Sequence, residues 1–271
     1  SLYLAEVLFP YDWDPGDLVS TDGAGHVVEP TLGLVPPSVH KVLLYQNYTE
    51  YPASEPLNRQ SAIDSINLGY NIVSHVGHGN KNILRVSKNN YITVQDADAF
   101  TNTYPKSGFA WLLDCTSAAI EYDAIAEHMM NNQTGGATSV FGPTRYCFPS
   151  TADEYYYTWF EEFYSNNNTK AGVVCASCKL PYVPDAQYDN TDRWTQMSYV
   201  LLGEPEHNLW TGRPSSMTVS HPTDIPLSEY DLTVTVTDPA AVDSALVCVV
   251  KGGEVYATGY TDAAGQAVLS F

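Results

Sequence analysis

The sequence has few basic side chains and no long apolar run. Lysine and arginine together number 12 against 31 aspartate and glutamate residues, so the formal net charge is −19 at pH 7. Nucleic acids and anionic membrane surfaces attract basic patches, and this composition argues against both as partners. No stretch of 18 or more apolar residues occurs, so we expect no transmembrane span. The acidic excess favours solubility, and it leans slightly towards basic substrates.

Cysteine is also scarce, and the five cysteines are too scattered for a disulfide framework. Cys175 and Cys178 form a CxxC pair, but no second pair or histidine stands at zinc spacing. Both lie in AGVVCASCKL, which has a helical pattern, so we interpret them as structural. Twenty tyrosines with few lysines are typical of a secreted or cell-surface protein.

The 271 residues, of which 44% are hydrophobic, are enough for one large domain and one small domain. Strands alternate with helices over the first 213 residues, and this order predicts an α/β fold with a mostly parallel sheet and helices on both faces. The predicted strands are 3–9, 42–45, 71–77, 108–115 and 137–142. The predicted helices are 60–68, 122–131, 155–164, 171–180 and 193–202. Residues 80–99 are predicted to be a polar crossover that ends in a short helix.

The pattern changes after residue 213. Four short segments are β-branched or alternate in polarity, with glycine-containing turns between them. This predicts a small all-β, immunoglobulin-like sandwich over 214–271, after a catalytic domain over 1–213. Such domains usually have about 100 residues, so we expect this one to be incomplete. The first residues, SLYLAEVLFP, lack the basic region of a signal peptide, so we expect the chain to begin inside a processed polypeptide or at a cloning boundary.

Two segments, 71–80 (NIVSHVGHGN) and 108–115 (GFAWLLDC), are apolar runs that end abruptly in small or reactive residues. This is the pattern of buried parallel strands, whose carboxyl ends meet at the edge where ligands bind. We therefore expect His78, with Gly79 after it, to lie beside Cys115. A cysteine next to an imidazole is the minimum equipment for thiolate nucleophilic catalysis. His78 precedes Cys115 by 37 residues, which is the order of caspase-type enzymes.

Four motifs resemble the gingipain-type family of cysteine peptidases, which has a caspase-like fold. The match covers roughly residues 1–213 in the family's order. GHGN (77–80) resembles the family's His–Gly motif, and LLDC (112–115) resembles the strand that carries the nucleophile. Residues 125–146 resemble the helix, turn and strand that follow the cysteine, and residues 193–214 resemble the closing segment before an immunoglobulin-like domain.

The resemblance implies that Cys115 is the nucleophile and that His78 is the general base and acid. The backbone N–H groups of Gly79 and Cys115 would form the oxyanion hole. These roles agree with the chemistry, because glycine lets the backbone approach a scissile carbonyl and histidine moves protons near neutral pH. The reaction would need no cofactor.

Gingipains carry an upstream subdomain that supplies part of the specificity pocket and an acidic partner near the histidine. We carry over no residue for either, and we expect such a subdomain or a propeptide of the same precursor as a partner. The loop after the 137–142 strand would line the S1 pocket. Tyr146 and Phe148 could stack on a long side chain at P1, the substrate residue before the scissile bond, whereas Asp153 or Glu154 could pair with a basic one.

Other chemistry-bearing residues have simpler interpretations. His75 is three residues before His78, and we interpret it as a packed core histidine rather than as part of a zinc site with His78 and Asp114. Asp114 alternates away from Cys115 on its strand and is expected to cap the following helix or to bond backbone rather than to take part in the chemistry. Cys147 is expected to be an incidental thiol.

The acidic loop after the first strand holds weak candidates for a structural calcium ion. Asp12, Asp14 and Asp17 could supply oxygen ligands, but their spacing fits no EF-hand loop. A solvated loop is the simpler interpretation.

The sequence as a whole predicts a secreted or cell-surface cysteine endopeptidase that acts on proteins or peptides. Two alternatives remain open. One is a non-catalytic caspase-like module for adhesion or docking, and the other is a protease limited to processing its own chain. The sequence leaves the P1 preference open.

Overall fold

A computed structural model describes residues 1–7, 22–212, 215–225 and 231–271. The chain divides into two units, Ser1–Gly212 and Arg213–Phe271. This division falls one residue before the boundary expected from the sequence. Within the described segments, no helix is long and apolar enough to cross a lipid bilayer.

The first unit contains ten strands and seven α-helices among its described residues. The strands are β1 Leu2–Ala5, β2 Val42–Tyr45, β3 Glu55–Pro56, β4 Ile72–Val76, β5 Gly79–Asn80, β6 Ile83–Ser87, β7 Asn90–Thr93, β8 Gly108–Leu113, β9 Ala137–Pro143 and β10 Tyr199–Gly203. The helices are α1 Glu29–Leu32, α2 Arg59–Leu68, α3 Val94–Asp98, α4 Ile125–Asn131, α5 Pro149–Phe160, α6 Ala171–Ser177 and α7 Thr191–Ser198. π-Helical turns cover Ala24–Val28 and Glu161–Ser165, and 3₁₀ turns cover Tyr48–Glu50, Leu180–Tyr182 and Asp185–Gln187.

Seven of these strands form one sheet in the order β10-β9-β8-β4-β1-β2-β3. All neighbours are parallel except β10 and β9, which are antiparallel. The predicted mostly parallel α/β sheet is therefore confirmed. Because β1, β4 and β8 run the same way, with Ala5 opposite Val76 and Val76 opposite Leu113, their carboxyl ends open on one edge.

Strand β8, an inner strand of the sheet, is buried on both faces, as its unbroken apolar run predicts. On one face, Trp111 packs in an aromatic core with Tyr156 of α5. On the other face, Leu112 packs in an aliphatic core with Ile125 of α4. Helices therefore cover both faces, and the sheet forms the middle layer of an α/β/α sandwich.

Two local predictions were wrong. The segment predicted as one helix over 193–202 is helical only to Ser198, and its last residues form β10 on the open edge of β9. The aromatic and β-branched residues Tyr199 and Val200 suit a strand, and the free edge of β9 supplies its hydrogen bonds. The polar crossover over 80–99 holds the unpredicted antiparallel strands β6 and β7, with β5 at its start, whereas its predicted short helix is confirmed as α3.

The second unit is all β in its described residues. Its strands are β11 Thr218–Ser220, β12 Asp231–Asp238, β13 Ala240–Ala241, β14 Leu246–Lys251, β15 Val255–Tyr260 and β16 Gln266–Ser270. Strands β11, β12, β13 and β16 form one antiparallel sheet, and β14 pairs with β15. Leu232, Val234 and Val236 form its small core. The immunoglobulin-like assignment remains a prediction.

Candidate active site

The two residues singled out by the sequence follow neighbouring strand ends. The Gly77 N–H after β4 donates to the Leu113 carbonyl of β8 at 3.0 Å, so the two strands stay paired to their last residues. His78 and Cys115 come directly after this contact, and both are partly exposed. The fold therefore places a histidine and a cysteine just beyond the ends of two adjacent strands, as the sequence predicts.

Cys115 lies at a tight turn that contacts the loop after β9. The Thr116 backbone has a φ of 56°, a left-handed conformation that is unfavourable for a β-branched residue. Its N–H donates to the Arg145 carbonyl at 3.1 Å, and the Cys147 N–H lies 3.4 Å from the Cys115 sulfur. The strained turn directs Cys115 towards this loop.

The electrostatic surroundings favour the neutral thiol of Cys115. Burial raises the pKa of this thiol, the hydrogen bond from the Cys147 N–H lowers it, and the Asp114 charge raises it, with a net upward shift. The thiolate is the reactive form of a cysteine. Activation of Cys115 therefore requires a base that takes its proton during the reaction.

The backbone of His78 is held from two sides. Its N–H donates to the Glu6 carboxylate at 2.8 Å, and its carbonyl accepts from the Arg85 N–H at 2.8 Å. Glu6 follows β1, is only 1% exposed, and forms an ion pair with the Arg85 guanidinium. Sequence reasoning missed Glu6, although it is the one charged residue in the apolar run YLAEVLF and follows a strand of the same sheet.

His75 is more than a packed core residue. Its Nδ1 lies 3.2 Å from an Asp114 carboxylate oxygen, and its Nε2 lies 2.8 Å from the Arg85 carbonyl oxygen. Both partners are acceptors, an arrangement that favours hydrogen on both ring nitrogens and therefore the imidazolium form. Burial lowers the pKa of His75, but its hydrogen bonds to Asp114 and to the Arg85 carbonyl, with the charges of Asp114 and Glu6, outweigh burial and raise the pKa.

Asp114 links this histidine to the cysteine turn. Its second carboxylate oxygen accepts from the Ser117 hydroxyl at 2.5 Å, and the residue is 2% exposed. The expectation that Asp114 bonds backbone is wrong, because its two carboxylate oxygens bind the side chains of His75 and Ser117. In the part of the chain that the structure describes, no group of three or more His, Cys, Asp or Glu could hold a metal ion.

Gly79 packs directly against Asp114. A Cβ atom added to Gly79 would lie 2.8 Å from the Asp114 Cγ, closer than real Cβ contacts allow. Only glycine brings the backbone after His78 this close to the residue before Cys115. The two segments that would supply the oxyanion hole are therefore in contact.

The loop after β9 holds the residues predicted to bind substrate. Tyr146 is 70% exposed and Phe148 is 40% exposed. The Tyr146 carbonyl accepts from the Trp194 indole N–H at 2.5 Å, and the Phe148 ring meets the Trp194 ring edge to face at 6.2 Å. Helix α7 therefore supports this loop while its aromatic side chains stay accessible.

The two acidic candidates in α5 have different surroundings. Burial raises the pKa of Asp153 to about 6, although the hydrogen bond from the Glu154 N–H lowers it; the Glu154 charge raises it further, and His26 lowers it. The Asp153 charge also contributes to raising the pKa of the Cys147 thiol. Glu154 is exposed, and burial with the charges of Asp192 and Asp185 raises its pKa. Asp153 is therefore the candidate whose charge reaches the loop that contacts Cys115.

The remaining cysteines are free thiols. The Cys147 sulfur lies 3.3 Å from the Tyr199 hydroxyl, and burial raises the pKa of the Cys147 thiol. Cys175 and Cys178 are buried in and directly after α6. The calcium candidates Asp12, Asp14 and Asp17 lie outside the described residues.

An α/β/α domain with a histidine and a cysteine after adjacent strand ends is the arrangement expected of a cysteine peptidase with a caspase-like fold. The model of peptidase family C25 matches residues 12–210. The chain therefore belongs to peptidase family C25, the gingipain-type cysteine peptidases.

Solved structures show the same fold. The crystal structure of the Arg-specific cysteine proteinase gingipain R matches with a TM-score of 0.70 and 17% sequence identity. The match covers 100% of this chain and 60% of the gingipain R chain. A complex of Porphyromonas gingivalis RgpB pro- and mature domains matches with a TM-score of 0.69 and 17% identity over 100% of this chain and 61% of its own. The chain thus spans about 60% of these proteins' length. No curated protein matched the sequence.

Proposed function

We propose that this protein is a cysteine endopeptidase in which Cys115 is the nucleophile and His78 is the general base and acid. The observation that carries the proposal is that the segments with these two residues meet at the carboxyl edge of the sheet, through the Gly77 N–H and the Leu113 carbonyl. Membership of family C25 supports it.

In the proposed reaction, the His78 imidazole takes the thiol proton as the Cys115 sulfur attacks the scissile carbonyl carbon. The tetrahedral oxyanion is stabilised by the N–H groups of Gly79 and Cys115. The C–N bond then breaks, and the amine leaves with the proton from His78. Water, deprotonated by His78, hydrolyses the acyl-enzyme and restores the thiol. No cofactor takes part.

We propose that the S1 pocket takes a basic side chain. Asp153 carries the charge for it, because a carboxyl group with a pKa of about 6 is mostly ionised at neutral pH. Tyr146 and Phe148 offer accessible rings to the aliphatic or planar part of that side chain. The cation of the substrate would also lower the pKa of Asp153 on binding.

The setting of the enzyme is part of the proposal. A pro-domain is present in the RgpB complex, and we expect a propeptide or upstream subdomain of the same precursor to bind here. Likeness to gingipain favours a secreted or cell-surface location.

The test is intact-mass labelling with acyloxymethyl ketones that carry Arg, Lys, Asp, Asn or Leu at P1. We expect one adduct on the wild type with the Arg or Lys probe and none on Cys115→Ala, whose peptide hydrolysis should fall by about 10³-fold or more. Cys147→Ser is the matched control, because it keeps the N–H that reaches the Cys115 sulfur. Asp153→Asn should remove the preference for Arg and Lys.

A second arm tests the oxyanion hole. Gly79→Ala should lower kcat by about 10²-fold with a smaller change in KM, because the donor is displaced by the clash with Asp114. Gly33→Ala is the control, since its added Cβ would meet only the Pro30 carbonyl at 3.9 Å. Absence of any adduct, with Cys115 still reached by iodoacetamide, would contradict the proposal and favour a non-catalytic docking module.

A further inference from the structure

A cleft of about 310 Å³ lies between the loop after β9 and helix α7. Arg145 lines it from the loop, and Arg193, Trp194 and Met197 line it from the helix. Asp153 does not line this cleft, and none of the roles proposed above uses the two arginines that do.

The charge of this cleft is unusual for this protein. The chain carries 31 acidic and 12 basic residues, yet two of its five arginines line one cleft. Arg145 is held by an ion pair with Glu121 and by the Thr144 carbonyl, which accepts from it at 2.7 Å. Among the described residues, no carboxylate lies within 4.0 Å of the Arg193 guanidinium. Asp189 is the one acidic side chain in the lining.

The same cleft has an apolar wall. Trp194 is 41% exposed and Met197 is 73% exposed, and both line the cleft beside Arg193. A guanidinium binds carboxylates through paired N–H donors. A basic head beside an apolar wall therefore suits a short side chain with methylene groups and a terminal carboxylate.

The cleft adjoins the nucleophile. The Arg145 carbonyl accepts from the Thr116 N–H at 3.1 Å, and two residues later the Cys147 N–H reaches the Cys115 sulfur at 3.4 Å. An extended peptide advances about 3.3 Å per residue. A substrate whose scissile carbonyl lies at Cys115 would therefore bring a residue only a few positions away to this cleft.

We propose that this cleft is a subsite for an acidic substrate side chain, with glutamate preferred, close to the scissile bond. The inference rests on the proposed peptidase function, and it means that the preferred substrate has an acidic residue near the scissile bond as well as a basic residue at P1. Arg193 is the main ligand of the carboxylate, and Arg145, already held by Glu121, supports it. The net charge of −19 repels acidic peptides in general, so a local pair of arginines is needed for such a preference.

The experiment compares peptides that share the best P1 residue and carry Glu, Gln or Lys in turn at each position from P4 to P3′. With the full chain, we expect kcat/KM at one position to be about 5- to 10-fold higher for Glu than for Gln. Arg193→Gln should bring that ratio to about one, and Arg193→Lys should restore part of it. Asp189→Asn should raise the ratio, because it removes the one carboxylate that repels the ligand.

The control is Lys41→Gln, which makes the same charge change far from the loop after β9. Lys41 immediately precedes β2, which is three strands away from β8 in the sheet, so this change should leave the ratio unchanged. The inference is overturned if no position prefers Glu while hydrolysis still depends on Cys115, or if Arg193→Gln and Lys41→Gln lower the ratio equally. If none of the peptides is cleaved, the proposed function itself fails, and this inference fails with it.

Discussion

Glu6 and Asp114 are each at most 2% exposed, and each has a cationic partner from the β4–β6 region. Removing one member of a buried pair leaves an uncompensated charge, which costs about 3–5 kcal/mol. Arg85 joins the two pairs, because its guanidinium binds Glu6 and its carbonyl accepts from His75. The backbone of His78 and the residue before Cys115 thus belong to one connected network.

The imidazolium of His75 predicts a specific pH dependence of stability. Its pKa in the folded chain is raised above the value of about 6.5 for an unfolded histidine. The stabilisation is therefore complete below about pH 6.5 and is lost as the pH rises through the folded-state pKa. We expect the free energy of unfolding, measured with urea at stepped pH, to decline above about pH 6.5.

His75→Gln should flatten this decline, because the titrating group is gone. The charged groups that face His75 are Asp114, Glu6 and Arg85, and they remain in the variant. His40→Gln, at an exposed histidine, is the control and should follow the wild type. Equal slopes for His75→Gln and the wild type would show that His75 is not protonated in the folded chain.

At the scale of elements, the turn into β9 depends on one buried amide. Asn102 is fully buried, and its side chain donates to the Gly136 carbonyl and accepts from the Gly136 N–H, both at 2.8 Å. Gly136 itself has a φ of +90°, which few other residues adopt. This contact sets where β9 begins, and β9 leads directly to the loop beside Cys115.

Asn102→Ala should destabilise the first unit by about 2–4 kcal/mol, because two buried backbone groups lose their partners. Urea unfolding would measure the loss. Asn67→Ala is the control, since the side-chain oxygen of Asn67 accepts one hydrogen bond from the N–H of the exposed Thr101. This substitution should destabilise the first unit by less than about 1 kcal/mol. Similar losses in the two variants would contradict the role given to Asn102.

At the scale of the whole molecule, the net charge of −19 should affect how fast substrates arrive. Opposite charge is concentrated near an acidic surface, and salt screens this attraction beyond a Debye length of about 10 Å at 0.1 M. For a peptide with a basic P1 residue, we expect kcat/KM to fall several-fold between about 20 and 500 mM NaCl. An otherwise identical peptide with an uncharged P1 residue should change little, and parallel salt profiles would exclude steering by charge.

Several features of this protein are predictable from the sequence alone because they depend on local patterns. Strand β8 is an unbroken apolar run and β4 is apolar except for Ser74 and His75, and each is followed within two residues by a polar or reactive side chain. Alternating strands and helices predict the parallel sheet, and a parallel sheet brings strand ends to one edge. These two patterns are sufficient to predict that the segments carrying His78 and Cys115 end at the same edge of the sheet.

Other features were decided only by the tertiary structure. Residues about 40 or more positions apart come together here: His75 pairs with Asp114, the Glu6 carboxylate accepts from the His78 N–H, and Arg145 and Arg193 line the same cleft. Strand β10 forms after Ser198 because β9 offers it a free edge. Periodicity reports which face of an element is buried but not which partner meets it. Burial of charge is stable only with a partner, so the folded neighbours determine the state of these groups.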